Sequence, residues 1–477
     1  MRAKSPLGLF SLLWAAAASL HHLEARPLAG LPLYPFVLLL FLFPERLWAV
    51  AAFALAHGIL LSLDLPSAAN HSVLGLLMDG LLLVGCTLSS RADAASRPRA
   101  LWSALRGPVR ATTAVVYFFA TFHKLNSSFF DPEVSCATSQ LQKIFELHGL
   151  EEFRPSAAAL SFNIYLTLAF EAGILVLLLW PRFTHLGALL GLLFHTGLAW
   201  ASFFDFATVV FAMYLFFFSW EHLEERMKAI PRWGQPLFFA AFAALAATSF
   251  WFHGYRRDAT VIEGREASLT ADTLICLFWM AMVWPLLLPL FLRPAALRAD
   301  PRWSGARVAW AIPLLALFNG ATSYLGLKTV ANYSMFSNLR TEGGRTNHLI
   351  LPAGLFSFAG YQDDLAEVAF LRRTEPDEWP FWVRLRGGDR WVRRNSRWVS
   401  ELPRARVPFA ELRRTLQLWK EIGFIHVAVG YQRGGTFRFV EDAFQDPELM
   451  QPLPFWQRKL MAFRAVDDDG LSSSCRW

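Results

Sequence analysis

The sequence is short of charge. Of its 477 residues only 17% are Asp, Glu, Lys or Arg, where a soluble chain of this size carries about 25%. That shortage argues against a wholly soluble protein. Cysteine is scarce too. There are four, with no Cys-x-x-Cys pair, which excludes zinc-finger and dithiol redox motifs. The 12 histidines form no His-x-x-His or His-Glu-x-x-His set, so no metal site is expected. No basic stretch interleaved with aromatics stands out, and no nucleic-acid partner is expected. The glycine pair in Thr341-Glu342-Gly343-Gly344-Arg345 reads as a turn, not a phosphate loop.

What the chain has in excess is apolar surface. Hydrophobic residues make up 55%, including 43 Phe and 19 Trp, and aromatic rings are favoured at lipid headgroups. Apolar runs predict helices near 7–22, 31–43, 47–63, 72–89, 109–124, 158–180, 184–202, 206–220, 235–252, 271–292 and 307–326. A span needs roughly 20 residues, and several runs are shorter, so about 9–11 transmembrane helices are expected. Pro44, Glu45 and Arg46 interrupt the stretch from Leu31 to Leu63. Arg2 and Lys4 precede the apolar stretch Leu7–Leu20, which reads either as a cleaved signal peptide or, preferably, as an uncleaved first helix.

The net charge of +7 sits largely in short loops. Arg91, Arg97, Arg99, Arg106 and Arg110 crowd one, and Arg293, Arg298, Arg302 and Arg307 another. Both are expected to be cytoplasmic. The loop from Asn126 to Pro155, with Asp131, Glu133, Glu146, Glu151 and Glu152, reads as external. Alternation then places the N-terminus inside and everything after about residue 327 outside. The expected setting is a lipid bilayer, the inner membrane if the source is bacterial.

From Lys328 onward the chain is polar and Arg-rich, without a spanning run. Phe381–Arg386 and Arg390–Arg394 flank Gly387-Gly388-Asp389, which predicts a hairpin. Phe409–Glu421 follows Pro408 and ends at Gly423, which predicts a helix. Phe424–Tyr431 and Thr436–Val440 flank Gly434-Gly435 as a second hairpin. The expected fold is an all-α polytopic membrane domain over 1–326, followed by a small α+β extracytoplasmic domain over 327–477. Cys136 and Cys475 both fall on the outer face. A disulfide there and two free thiols are equally open readings.

Charges within a bilayer are costly and each needs a reason. Lys124 ends the aromatic run Tyr117-Phe118-Phe119-Ala120-Thr121-Phe122. One reading is a lysine that lifts its amine to the headgroups. The other is a desolvated amine able to act as a general base. His71, at the start of the 72–89 run, falls on the same face, either as a helix-start residue or as a partner of that lysine. Glu171 and His195 lie mid-helix on neighbouring runs joined by a short turn, and they read as a buried pair or as a site. Asp79 could join them, and Asp205 reads as part of an external turn. Asn70-His71-Ser72, Asn126-Ser127-Ser128 and Asn332-Tyr333-Ser334 match the glycosylation pattern, but close to helix ends.

The order of these segments resembles a known family. Tyr117-Phe118-Phe119-Ala120-Thr121-Phe122-His123-Lys124-Leu125-Asn126 is similar to the catalytic-lysine segment of vitamin K-dependent γ-glutamyl carboxylase and of bacterial proteins with the related horizontally transferred transmembrane (HTTM) domain. Asn70-His71-Ser72 with Leu74-Gly75-Leu76-Leu77 resembles that family's Asn-His-Ser segment. Glu171-Ala172-Gly173, Phe194-His195 and Tyr333-Ser334-Met335-Phe336 resemble its later segments. His123 stands where vertebrate carboxylases have a second lysine, and the C-terminal domain is much shorter than theirs.

The resemblance implies a lyase-type carboxylase. Lys124, with His71, would deprotonate a reduced quinone (vitamin K or menaquinone). Oxygen and carbon dioxide would be co-substrates, and a glutamate-containing peptide on the outer side would be carboxylated. It implies quinone or substrate contacts for His195, Glu171, His123, Tyr117 and Asn70. The competing expectation from a different class is a non-enzymatic multi-pass transporter or scaffold, which would show broken helices near the midplane.

Overall fold

The computed structural model describes residues 3–25, 30–150, 152–251, 264–292, 303, 305–355, 358–402, 405–466 and 475. Arg2, Glu151, Arg293, Arg298 and Arg302 lie outside the described residues. In chain order the helices are α1 (Pro6–Ala25), α2 (Tyr34–Leu42), α3 (Leu47–Leu63), α4 (Asn70–Ser89), α5 (Arg97–Phe122) and α6 (Cys136–Leu147). They continue with α7 (Ala157–Leu179), α8 (Thr184–Trp200), α9 (Phe204–Tyr214), α10 (Trp220–Met227), α11 (Gly234–Ser249), α12 (Gly264–Phe291) and α13 (Ala311–Ala321). The C-terminal part adds β1 (Leu365–Thr374), α14 (Phe381–Leu385), α15 (Asp389–Asn395), β2 (Ala405–Pro408), α16 (Phe409–Glu421), β3 (His426–Arg433), β4 (Thr436–Val440) and α17 (Phe455–Leu460).

The chain forms two compact units. The first comprises Met1–Ser62, Leu74–Thr121 and Ala137–Leu317, and the second Leu63–Val73, Phe122–Cys136 and Phe318–Trp477. The division is therefore not a single cut near 327. The second unit also gathers the start of α4 and the segment that follows α5.

The first unit is helical. Among the described residues of the chain, four helices are long and apolar enough to cross a membrane: Pro6–Leu23, Asn70–Ser89, Ala157–Leu179 and Asp272–Phe291. A fifth candidate is the pair Phe204–Phe217 and Trp220–Met227, bent by 115°. Their settings differ. The apolar window of α1 is 94% buried, whereas that of α7 is only 22% buried, leaving Phe162, Tyr165 and Val176 uncovered. A bare apolar helix face needs an apolar surrounding.

Close packing in this unit relies on small residues. The buried stripe of α8 runs Thr184, Gly187, Ala188, Gly191, Leu192, His195, Thr196 and Ala199, the i, i+3, i+4 spacing of one helix face. A Cβ on Gly187 would lie 2.6 Å from the Leu178 nitrogen and 2.9 Å from the Leu177 carbonyl carbon. Glycine is what lets α8 approach the backbone of α7.

Three sequence expectations are corrected here. The Arg cluster is not a loop, because α5 starts at Arg97 and carries Arg97, Arg99, Arg106 and Arg110. Arg106 and Arg110 are buried. Arg106 Nε donates to the Phe216 carbonyl at 3.3 Å, and the Arg110 guanidinium lies 4.8 Å from the Trp303 ring and 5.4 Å from that of Phe217. Aromatic faces and a carbonyl replace the water that a loop would have supplied. Second, the stretch 126–155 is not all loop, since α6 occupies Cys136–Leu147. Third, residues 381–394 form no hairpin. They form α14 and α15 around Gly387 (φ 98°) and Gly388 (φ 54°), because Trp391, Val392 and Asn395 share the buried face of a helical turn.

In the second unit an antiparallel sheet of order β2-β1-β3-β4 carries α16. Val368, Val407, Leu412, Leu416, Trp419, Val427 and Val429 form its core. β3 and β4 pair from Val429↔Val440 to Arg433↔Thr436. Gly434 and Gly435, both at positive φ, make the two-residue turn whose twist suits a hairpin. α16 ends in a Schellman motif: Phe424 N donates to Trp419 O at 3.0 Å and Gly423 N to Lys420 O at 3.3 Å. Gly423 sits at φ 93°, and Phe424 stacks on Trp419 at 5.0 Å.

Within α16 the buried carboxylate of Glu411 takes both Arg414 Nε at 3.0 Å and Nη2 at 2.5 Å. It also accepts Phe463 N at 3.1 Å. Glu411→Ala leaves a guanidinium buried without its counter-charge and is expected to cost about 3–5 kcal/mol. Thermal unfolding checks this, with Glu411→Leu/Arg414→Met expected to recover most of the loss.

Candidate functional site

Where α5 ends, the chain enters the second unit and is held there by backbone and amide groups. Leu349 N donates to Leu125 O at 2.8 Å and Ser127 N to Asn347 O at 3.0 Å. Asn126 is the hub. Its Nδ2 donates to His123 O at 2.7 Å and Ser337 O at 2.5 Å, and its Oδ1 accepts Phe129 N at 2.9 Å. Asn347 Nδ2 donates to Ser128 Oγ at 3.0 Å and Asn338 O at 2.8 Å.

This scaffold encloses Lys124, whose residue surface is only 2% exposed. Its Nζ donates to the Met335 carbonyl at 3.3 Å and lies 5.9 Å from the centre of the Phe129 ring, inside cation–π range. The lysine is therefore not one that reaches out to headgroups. His123 is buried beside it in sequence, its ring 5.5 Å from that of Tyr324.

The acceptor of Lys124 belongs to an unusual loop. Ala331 (φ 60°), Tyr333 (φ 65°), Phe336 (φ 48°) and Asn338 (φ 55°) are all left-handed without being glycine. Such residues cost of order 1–3 kcal/mol each and persist where surroundings over-determine them. Here those surroundings are explicit. Asn70 Oδ1 accepts Tyr333 N at 2.6 Å, Asn319 Nδ2 donates to Ala331 O at 3.1 Å, and Asn332 Oδ1 accepts Ser334 Oγ at 2.6 Å. Lys328 Nζ donates to the same Ala331 carbonyl at 3.3 Å, and burial pushes its amine down to about 8. His71 follows Asn70 in the first turn of α4 and is half-buried.

The three glycosylation-like asparagines thus have structural work. Asn126 and Asn332 are buried, and Asn70 is bonded to Tyr333. Each amide clamps backbone.

His348 was not singled out by the sequence. Its Nδ1 accepts Ile350 N at 3.1 Å and Leu351 N at 3.0 Å, so Nε2 carries the proton and donates to Phe122 O at 3.1 Å. Burial holds this imidazole below its ordinary range. As pH falls, the unfolded chain takes up the proton first, so the stability contributed by neutral His348 is lost from about pH 6.5 downward. Thermal unfolding at pH 7.5 and 5.5 should show a drop that shrinks in His348→Gln.

The other candidates fall in the first unit. His195 is joined by its Nε2 to the Tyr117 hydroxyl at 2.5 Å, and that hydroxyl also bonds the hydroxyl of Tyr214. Tyr214 had no sequence signal of its own. It fits only because residue 191 is glycine, where a Cβ would overlap the Tyr214 ring and hydroxyl. Glu171 is buried on α7. Asp79 pairs with His57 Nδ1 at 2.7 Å and accepts Trp14 Nε1 at 3.0 Å. Asp205 is not on an external turn. It is buried in the first turn of α9, with His21 Nδ1 at 3.1 Å.

Cys136 and Cys475, both in the second unit, are joined in a disulfide. Cys86 and Cys276 are buried free thiols. Chemically, the second unit offers a buried primary amine, a neutral imidazole and a rigid frame of amides. The first offers a buried His195–Tyr117–Tyr214 hydrogen-bonded chain. No family model, curated protein or solved structure matches the chain.

Proposed function

We propose that the chain is a multi-pass membrane enzyme related to the γ-glutamyl carboxylases, with Lys124 as the base acting on a reduced quinone. The observation that carries this reading is the enclosure of the Lys124 amine, 2% exposed and held by a loop with four strained residues. An enclosed primary amine held in one position can serve as a general base toward a ligand bound beside it.

Aromatic groups that follow and pack near the end of α5 support a planar aromatic ligand on this reading. Phe122, Tyr324 and His348 form a ring cluster with centroid distances of 4.6 to 5.9 Å. The Tyr324 hydroxyl is buried with no hydrogen-bond partner among the described residues and would donate to a ligand oxygen. A bound reduced quinone would supply, with oxygen, the strong base that lets carbon dioxide replace a glutamyl Cγ proton. The role of this chain's residues is to orient the ring, exclude water and accept the first proton at Lys124 Nζ.

On this reading the four or five longest apolar helices and the three shorter ones account for seven or eight spans among the described residues, fewer than the 9–11 expected from the sequence, the N-terminus is cytoplasmic and the C-terminal residues are outside. The bare face of α7 supports a lipid surrounding. The test is incorporation of labelled carbon dioxide into a glutamyl peptide by purified protein, with reduced menaquinone or vitamin K and oxygen. Incorporation independent of the hydroquinone would sink the proposal. The 115° break between Phe217 and Trp220 favours a second reading, a transporter with a broken span. Solute flux in proteoliposomes without turnover would support it.

A further inference from the structure

Far along the chain from these groups, the first unit contains a cavity of 520 Å³. It is lined by Lys4, Lys228, Arg232, Glu224, Ile230 and Gln235, among others. Lys4 belongs to the segment before α1, Lys228 is the C-cap residue that follows α10, and Arg232 lies in the turn that precedes α11. One wall is built rather than incidental: Gln235 Oε1 accepts Ala3 N at 2.9 Å and its Nε2 donates to Ala3 O at 3.1 Å. Lys4 N donates to Glu45 Oε1 at 2.8 Å, which fixes the backbone of this segment.

Three cations face one carboxylate here, and none of the three side chains has an ion pair among the described residues. Like charges gathered without counter-charge repel one another, and an anion relieves that repulsion. The N-terminus of α11 (Gly234–Ser249) adds the positive end of its dipole. Ile230 and Met227 supply apolar lining, and Arg232 is followed in sequence by the exposed Trp233, a residue type favoured at membrane interfaces.

We propose that this cavity binds a phosphate-type anion of headgroup size, gripped by Lys228 and Arg232 with Lys4 closing the third side. Two sources share that chemistry, an anionic phospholipid headgroup and a free phosphate. The apolar lining by Met227 and Ile230 matches the first.

The experiment uses the full chain in detergent, with native mass spectrometry reading retained phosphatidylglycerol against phosphatidylcholine. Inorganic phosphate serves as competitor. Lys228→Ala/Arg232→Ala should weaken phosphatidylglycerol retention about 10- to 30-fold, as two surface cations contribute. Lys228→Arg should retain it. Both replaced residues are exposed, so the fold should survive, and an unchanged melting temperature verifies this. Competition by millimolar inorganic phosphate identifies a free phosphate as the source, and no competition identifies the headgroup. Equal retention of the two lipids, or a double variant that binds like the unaltered chain, overturns the proposal.

Discussion

Lys124→Ala should abolish hydroquinone-dependent carbon dioxide incorporation, lowering its rate about 10²- to 10⁴-fold, the usual worth of a positioned base. The difficulty is to separate chemistry from structure, because the Lys124 amine also bonds the Met335 carbonyl at 3.3 Å. Removing it leaves that carbonyl short of a donor, which costs about 1–3 kcal/mol if nothing replaces it. Lys124→Arg resolves the ambiguity. A guanidinium keeps the charge and the donor but does not deprotonate at accessible pH. A folded Lys124→Arg protein without activity, beside an unaltered melting temperature, would assign the loss to proton transfer. Activity within threefold of the unaltered enzyme in either variant would remove Lys124 from the mechanism.

Gly187→Ala should destabilise the helical unit by about 1–3 kcal/mol, the usual cost of overpacking. Alanine is otherwise the better helix former by about 1 kcal/mol, so the sign of the effect is informative. The atoms in the way are the Leu178 nitrogen and the Leu177 carbonyl carbon, which are backbone and cannot rotate aside. α7 and α8 would have to separate. Gly197 on the same helix has nothing within 4 Å of its would-be Cβ, so Gly197→Ala should be neutral or stabilising. Thermal unfolding of the two variants side by side decides the matter. Equal behaviour would show that the α7–α8 approach is not limiting.

Much of this molecule could be read along the chain. α3 runs over Leu47–Leu63, where its apolar run lies, and α16 over Phe409–Glu421, between Pro408 and Gly423. The Gly434-Gly435 hairpin likewise forms where its flanking strands place it. These are local signals, since a helix period, a stop residue and a turn dipeptide act within a few residues. Residues 381–394 show the limit of such signals. A glycine pair between short aromatic runs suits a hairpin or two helical turns equally, and the burial of Trp391 and Val392 decided for helix.

The candidate site divides in the same way. The aromatic run ending in Lys124 was legible as a point where a charge needs a reason. Which of its two readings holds, a lysine at the headgroups or an enclosed one, was not, because its acceptor lies at Met335, more than two hundred residues on. Asn70, Asn126 and Asn332 match the glycosylation pattern close to helix ends, and the structure uses their amides to clamp backbone. Tyr214 and His348 had no sequence signature, since their partners Tyr117 and Phe122 are distant in the chain.

By itself, then, the sequence determined that this is a largely helical, apolar-rich protein with a small polar C-terminal fold, because composition and periodicity are properties of neighbours along the chain. Only the tertiary structure decided which charges are solvated and which are enclosed. Arg106 and Arg110 became interior residues through Phe216, Phe217 and Trp303, and Lys124 an enclosed amine through a loop of left-handed residues. The physical reason is that desolvation depends on which groups surround a charge in space, and those groups come from segments far apart in sequence.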